Sequence, residues 1–233
     1  MTALVLQARL DSSRLYRKAL LPLDGRPLIS LVMEALKTVP GDLHILACPE
    51  DSFREFLPLA EAEGFELVSG LKEDVLGRYA QVIRRFSPDR IIRATGDNPF
   101  VFADAAAAIN QEGTELGADY AGYSGLPYGA GVESVSAEAL LRAEREAAAQ
   151  AEREHVCPYL YGHPEWFLLH RPLAPLIWRE PSLRLTVDTP EDYQQAQALS
   201  QALTKAAPGR ARYRGETIIG ISKRLFRETG GLS

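Results

Sequence analysis

The chain has little that would hold it together outside a reducing compartment or anchor it in a bilayer. Two cysteines, Cys48 and Cys157, occur in 233 residues, far apart and with no CxxC pair. That excludes a multi-bridge disulfide scaffold and a thiolate zinc cluster. No stretch approaches the roughly 20 apolar residues of a membrane helix. Met1 to Gln7 is apolar but lacks the basic n-region and small-residue cleavage site of a secretory signal. These absences predict a soluble, cytoplasmic protein with reduced thiols and no membrane partner. The four histidines, His44, His155, His163 and His170, show no metal-ligand spacing. The sequence contains no GxGxxG, no GxxxxGK[ST] and no GxSxG. Rossmann dinucleotide binding, Walker-type phosphate binding and Ser/His hydrolase chemistry therefore have no motif to stand on. Net charge is −5, which argues against a nucleic-acid partner, since such binding needs a broad basic face. There is no internal repeat and no low-complexity tract.

What is present suits a globular enzyme. Hydrophobic residues make up 46% and charged residues 24%, in a chain long enough for one α/β domain. Met1–Ala8, Leu43–Ala47, Phe65–Val68 and Arg90–Ala94 read as strands. Between and after them, Pro27–Val39, Ser52–Glu63, Asp74–Phe86 and Ala103–Glu112 carry helical spacing. Regular alternation of strand and helix predicts βαβ units and a mostly parallel, Rossmann-like sheet flanked by helices. The second half is less regular. Gly122–Gly131 reads as a Gly-rich loop and candidate mobile lid, Ala137–Glu154 as one scaffold helix, and Trp166–His170 and Arg184–Val187 as strands. Pro190–Leu203 is a helix with proline in its first turn, and a last helix is expected near Thr217–Arg227.

Ligands of parallel sheets bind outside the carboxyl ends of the strands. Two polar loops lie there. The first, from Gln7 to Lys18, holds four cations against one anion, Asp11; Arg14, Arg17 and Lys18 fall within five residues. Guanidinium, ammonium and backbone N–H groups in one loop suit a polyphosphate, although a solvated surface loop would have the same composition. The second, Thr95-Gly96-Asp97-Asn98-Pro99, puts an aspartate directly after a buried strand, which suits either a magnesium ligand or a strand-ending Asx turn. Asp188 follows Arg184–Val187 in the same way, with Thr189-Pro190-Glu191-Asp192 forming a good helix start behind it. Two strand-end carboxylates from distant sequence could share one magnesium ion, as phosphoryl or nucleotidyl transfer requires. Arg153-Glu154-His155 reads on its own as a surface or interface cluster at a helix end.

Taken in order, the blocks Gln7-Ala8-Arg9, Ser13-Arg14-Leu15, Lys18-Ala19-Leu20, Asp74-Val75-Leu76-Gly77-Arg78-Tyr79 and Arg93 to Pro99 form a specific series. Asp119-Tyr120, Gly131-Val132-Glu133, Arg153-Glu154-His155-Val156 and Arg184 to Asp192 continue it. Together they resemble the cytidylyltransferase superfamily of the CMP-sialate and CMP-KDO synthetases, and within it the spore-coat polysaccharide SpsF-type branch. The resemblance covers roughly residues 3–200. It implies transfer of CMP from CTP to a small acidic acceptor with release of pyrophosphate, in polysaccharide or glycoconjugate precursor synthesis, by a magnesium-dependent homodimer. By the same resemblance, Gln7, Ala8, Arg9, Arg14, Lys18, Arg78, Thr95 and Gly96 would bind the nucleotide. Lys18, Arg9 and Asp97 would carry the catalysis, and Asp97 and Asp188 the metal. Asn98, Tyr123, Glu133, His155 and Arg184 would face the acceptor, with Arg153 and Glu154 toward the acceptor or a dimer partner. Glu133 is the expected base for a plain hydroxyl acceptor. Residues 1–204 would form the nucleotidyltransferase domain, with an irregular acceptor and dimerisation subregion in its second half, and 205–233 a basic linker and C-terminal helix. The chain departs from the family pattern at Asp11, where glycine is usual, at Tyr16-Arg17, usually Pro-Gly, and at Tyr123, usually asparagine. A non-catalytic nucleotide-binding homologue, or an enzyme using another nucleoside triphosphate, is the competing expectation.

Overall fold

The computed structural model describes residues 1–228. Strand β1 (Thr2–Gln7) runs through the centre of the molecule, and its middle four residues are buried. After the polar loop comes a small hairpin, β2 (Pro22–Leu23) with β3 (Arg26–Pro27), and then α1 (Leu28–Leu36). The alternation continues as β4 (Leu43–Pro49), α2 (Phe53–Glu63), β5 (Glu66–Gly70), α3 (Val75–Phe86), β6 (Arg90–Thr95) and α4 (Ala103–Glu115). Local chemistry sets these boundaries. Gly64 ends α2 at φ 72°, a conformation cheap only for glycine. Asp74 caps α3 by accepting from Gly77 N at 2.9 Å.

The second half adds β7 (Tyr120–Ala121), β8 (Glu133–Ser136), α5 (Ala137–Glu146), α6 (Gln150–His155), α7 (Pro158–Gly162), β9 (Leu169–His170), α8 (Pro190–Ala206) and α9 (Gly215–Glu228). All the β elements except the hairpin join one seven-stranded sheet in the order β5-β4-β1-β6-β8-β7-β9. Only β8 runs against its neighbours, pairing antiparallel with both β6 and β7. The expected single α/β domain with a mostly parallel sheet is therefore what forms. Alternation along β1 splits the core. Leu4, Leu6 and Ala8 pack with α1, α2, α4, α8 and α9, while Ala3 and Val5 pack with α3, α5 and α7. Among the described residues, no helix is long and apolar enough to cross a membrane.

Three expectations need correction. The single helix over Ala137–Glu154 is two helices, because the chain turns extended at Ala147 (ψ 120°). The freed carbonyls of Glu144 and Ala147 accept from Arg153 Nη1 at 3.0 and 3.2 Å. Arg184–Val187 is not a strand: it makes one isolated bridge, Arg184 with Tyr128, and is otherwise tied by single backbone bonds. Only the last two residues of Trp166–His170 pair, as β9. Toward the C-terminus, Lys205 lies in the last turn of α8, and Tyr213, Ile218 and Ile221 enter the main core.

Candidate active site

The carboxyl ends of β1 and β6 lie side by side, with Gln7 opposite Thr95 in register. Gly96 N donates to Gln7 O at 2.8 Å, so the two polar loops leave the sheet together. The stretch around Asp188 joins them from the far side, because Val187 N donates to Asp97 O at 2.8 Å. This bond, with Lys18 Nζ donating to Val187 O at 2.9 Å, gives Asp188 the placement that the absent strand was expected to supply.

Lys18 sits at the junction. Its Nζ lies 3.1 Å from Asp97 Oδ2, 2.8 Å from Asp188 Oδ1 and 2.9 Å from Val187 O. Both carboxylates are held in place. Thr95 Oγ1 donates to Asp97 Oδ1 at 2.7 Å, and Asn98 Nδ2 to Thr95 Oγ1 at 2.8 Å. Arg184 Nη2 donates to Asp188 Oδ2 at 2.9 Å, and Arg14 Nη2 stands 3.2 Å from Asp188 Oδ1. Burial pushes the Asp188 carboxyl up, but Lys18, Arg14 and Arg184 outweigh it and hold the group below the usual carboxylate range. Two carboxylates that share one ammonium converge on a single cation, and their oxygens are the hard donors magnesium takes. The pair therefore fits a divalent metal, with Asp97 and Asp188 as the residues that would hold it.

Around this centre opens a cavity of about 410 Å³. Gln7, Ala8, Arg9, Arg14, Lys18 and Arg78 line it, as do Thr95, Gly96, Asp97, Asn98, His155 and Asp188. Arg78 is anchored by donation from Nη1 to Lys72 O at 3.2 Å and to Leu71 O at 2.5 Å. Arg9 faces Glu154 across the mouth at 3.6 Å, both half-exposed. Three expected acceptor residues are not on the wall. The Tyr123 hydroxyl donates to Glu112, and its ring tilts against Trp178 at 5.8 Å. Arg184 reaches Asp188 and Asp192 instead of the cavity. Glu133 lies behind the wall, bound by Arg93 and the Tyr120 and Tyr161 hydroxyls. Burial raises its pKa, yet Arg93 and the two tyrosines keep it below the usual carboxylate range, and so anionic.

Sequence reasoning assigned no site role to Lys72, Arg93, Gly129 or Thr186, which also line the cavity. Lys72 follows the carboxyl end of β5, so the strand-end rule that found Asp97 applied to it as well. Arg93 interrupts an apolar strand, a signal in itself. The loop residue Asp11 also lines the cavity and pairs there with Lys72, and Arg17, in a position usually glycine, adopts φ 48°.

Comparison with known proteins agrees with this geometry. A family model described as cytidylyltransferase matches residues 3–218. The chain is 33% identical over 204 residues to the spore coat polysaccharide biosynthesis protein SpsF of Bacillus subtilis, covering 84% of this chain and 85% of the relative. A cytidylyltransferase structure from Leptospira borgpetersenii superposes with TM-score 0.85 at 19% identity, covering 99% and 96% of the two chains. A CMP-2-keto-3-deoxy-manno-octonic acid synthetase solved with CTP superposes with TM-score 0.67 at 17% identity, covering 86% and 98%; at these identities the two structures speak for the fold. A nucleotide-sized, basic cavity at the carboxyl edge of this sheet and a family match over nearly the whole chain lead to one conclusion: the protein belongs to the cytidylyltransferase family.

Proposed function

We propose that the enzyme transfers CMP from CTP to a small acidic acceptor, a sugar acid or a phosphorylated or phosphonate compound, and releases pyrophosphate. The observation that carries this reading is the Lys18 ammonium held between Asp97 and Asp188 on a basic strand-end loop. The acceptor oxygen attacks the α-phosphorus, the new P–O bond forms, and the bond to the β-phosphate oxygen breaks in line. Lys18, Arg9 and Arg14 bind the triphosphate and stabilise the departing pyrophosphate. The Arg9–Glu154 pair is solvent-exposed at 3.6 Å, and such pairs contribute little, so triphosphate can displace Glu154. Magnesium held by Asp97 and Asp188 would supply charge neutralisation at phosphate oxygens. Glu133 is committed to Arg93 and does not serve as a base, which supports an acceptor whose oxygen is already ionised. His155 on the wall is then an acceptor-facing group.

A place in surface polysaccharide precursor synthesis is supported by the likeness to SpsF. The same reading has the enzyme in the cytoplasm, as a homodimer. Pyrophosphate release with magnesium, tested with each of CTP, UTP, GTP and ATP across acidic sugars, sugar phosphates and phosphonates, is the deciding experiment. Release that requires CTP and one acidic acceptor is expected. Calorimetric CTP binding without release from any acceptor would favour a non-catalytic nucleotide-binding homologue, and release with another nucleotide would change the base.

A further inference from the structure

Gln7 ends β1 on the sheet face that also carries Val5 and that packs against Tyr79 of α3. Arg93 lies on that face of the neighbouring strand β6, opposite Val5 in register. Gln7 Oε1 accepts from Arg93 Nε at 3.2 Å and from Tyr79 OH at 3.4 Å. A guanidinium only donates, so the oxygen end of the amide must face it. The amide cannot flip without setting donor against donor. Its nitrogen makes no hydrogen bond among the described residues, and Gln7 lines the cavity. The side chain therefore offers the cavity two N–H donors and no acceptor.

A buried chain of contacts fixes this orientation. Arg93 is paired with Glu133, and these side chains are only 14% and 19% exposed. Glu133 in turn accepts from Tyr120 OH at 3.1 Å and from Tyr161 OH. Cys157 Sγ stands 3.5 Å from the same carboxylate. These partners fill the acceptor sites of one buried carboxylate, which in turn holds the Arg93 guanidinium in one place against Gln7. The charged centre of the site, Lys18 with Asp97 and Asp188, lies toward α8, on the face that also holds Ala8 and Val187, while the small side chain of Val75 of α3 lines the wall on the Gln7 side. Triphosphate at the charged end leaves the planar base for the Gln7 end.

We infer that Gln7 reads the base: its Nε2 donates to the N3 acceptor of cytosine, with Arg93 and Glu133 as positioning residues that hold the amide in its donating orientation. Uracil carries N3–H at that place and would set donor against donor. This inference rests on CTP being the substrate. It is tested by calorimetric binding of CTP, UTP and inorganic triphosphate to the protein without acceptor, so that acceptor identity does not enter. Wild-type protein should prefer CTP over UTP by roughly 10- to 100-fold, the range of one unsatisfied buried donor. Gln7→Met should bring that ratio near one while triphosphate affinity stays within about threefold. Gln7→Glu, which presents only acceptors, should turn the ratio toward UTP. Arg93→Met, which frees the amide to flip, should lower the ratio even where both affinities also fall; a merely structural role would weaken CTP and UTP together. A wild-type CTP preference that survives in Gln7→Met overturns this inference alone. Wild-type protein that binds triphosphate with no preference for CTP overturns the CTP reading and this inference with it.

Discussion

Lys18 is the residue on which the site turns, because one ammonium satisfies two carboxylates that would otherwise repel across the sheet edge. Removing either carboxylate leaves the other without its counterpart at the place where phosphate charge develops. Asp97→Ala and Asp188→Ala should each lower pyrophosphate-release turnover by about 100-fold or more, with circular dichroism and a cooperative melt retained. Near-normal turnover in both variants would end their assignment as the cation-holding pair. The position of these two aspartates at the sheet edge was legible in the sequence, Asp97 from the strand that ends at Thr95 and Asp188 from the Thr189-Pro190 helix start behind it. The two unusual loop residues were legible only as departures. Asp11 is neutralised by Lys72, a partner 61 positions away that no local pattern announces. Arg17 accepts a left-handed backbone costing about 1 kcal/mol and reaches Glu55 at 3.3 Å.

At the scale of elements, α6 is pinned to the start of α3 by a two-pronged contact. Arg153 Nη2 and Nε donate to Asp74 Oδ2 and Oδ1 at 2.7 and 3.0 Å. This contact holds Glu154 and His155 at the cavity mouth. Burial raises the Asp74 pKa, but Arg153 and Gly77 N outweigh it, so the folded value lies below the unfolded one. The sign follows: the contact stabilises above the unfolded carboxylate pKa of about 4 and is lost as pH falls through the lower folded value. Asp74→Asn keeps an N-cap and removes the charge. It should unfold at lower urea than wild type at pH 7, by about 1–3 kcal/mol, and the gap should close toward pH 3. A gap unchanged at low pH would assign the loss to packing instead of charge. The loop 122–131 makes a second case. Its glycine content suggested a mobile lid, yet Tyr128 N donates to Leu183 O at 3.0 Å and Leu185 N to Tyr128 O at 2.8 Å. Gly129 has φ 91°, and a Cβ there would stand 2.6 Å from Thr186 N and 2.9 Å from Asn98 Oδ1. Gly129→Ala should therefore cost about 1–3 kcal/mol and raise KM for CTP several-fold through Thr186 and Asn98, as thermal melts and initial rates would reveal.

For the molecule as a whole, the parallel half was readable because each strand there has a short apolar core and alternates with an amphipathic helix. The other half was not, because its strands are short and bury polar residues: β8 places Ser134 in the sheet interior, and β7 and β9 have two residues each. Their existence depends on tertiary pairing that no local period reports. That same half carries, among the described residues, a run of uncovered apolar side chains. β9 is an edge strand, and around it Trp166, Leu168, Leu173, Leu176 and Ile177 are 48%, 56%, 57%, 80% and 54% exposed. Exposed apolar side chains concentrated in twelve consecutive residues mark an association surface more than a solvated one. A second copy of the chain is the occupant consistent with the homodimer proposed above, since a twofold contact lets one patch cover itself. Light scattering after size exclusion at micromolar concentration should therefore give twice the chain mass. Leu168→Asp with Leu176→Asp should raise the dissociation constant by at least about tenfold, since each charge would have to be desolvated on association. The cavity lies within one chain, so the separated double variant should still bind CTP. Wild-type protein that runs as a monomer at these concentrations would leave the patch to some other partner and refute the dimer.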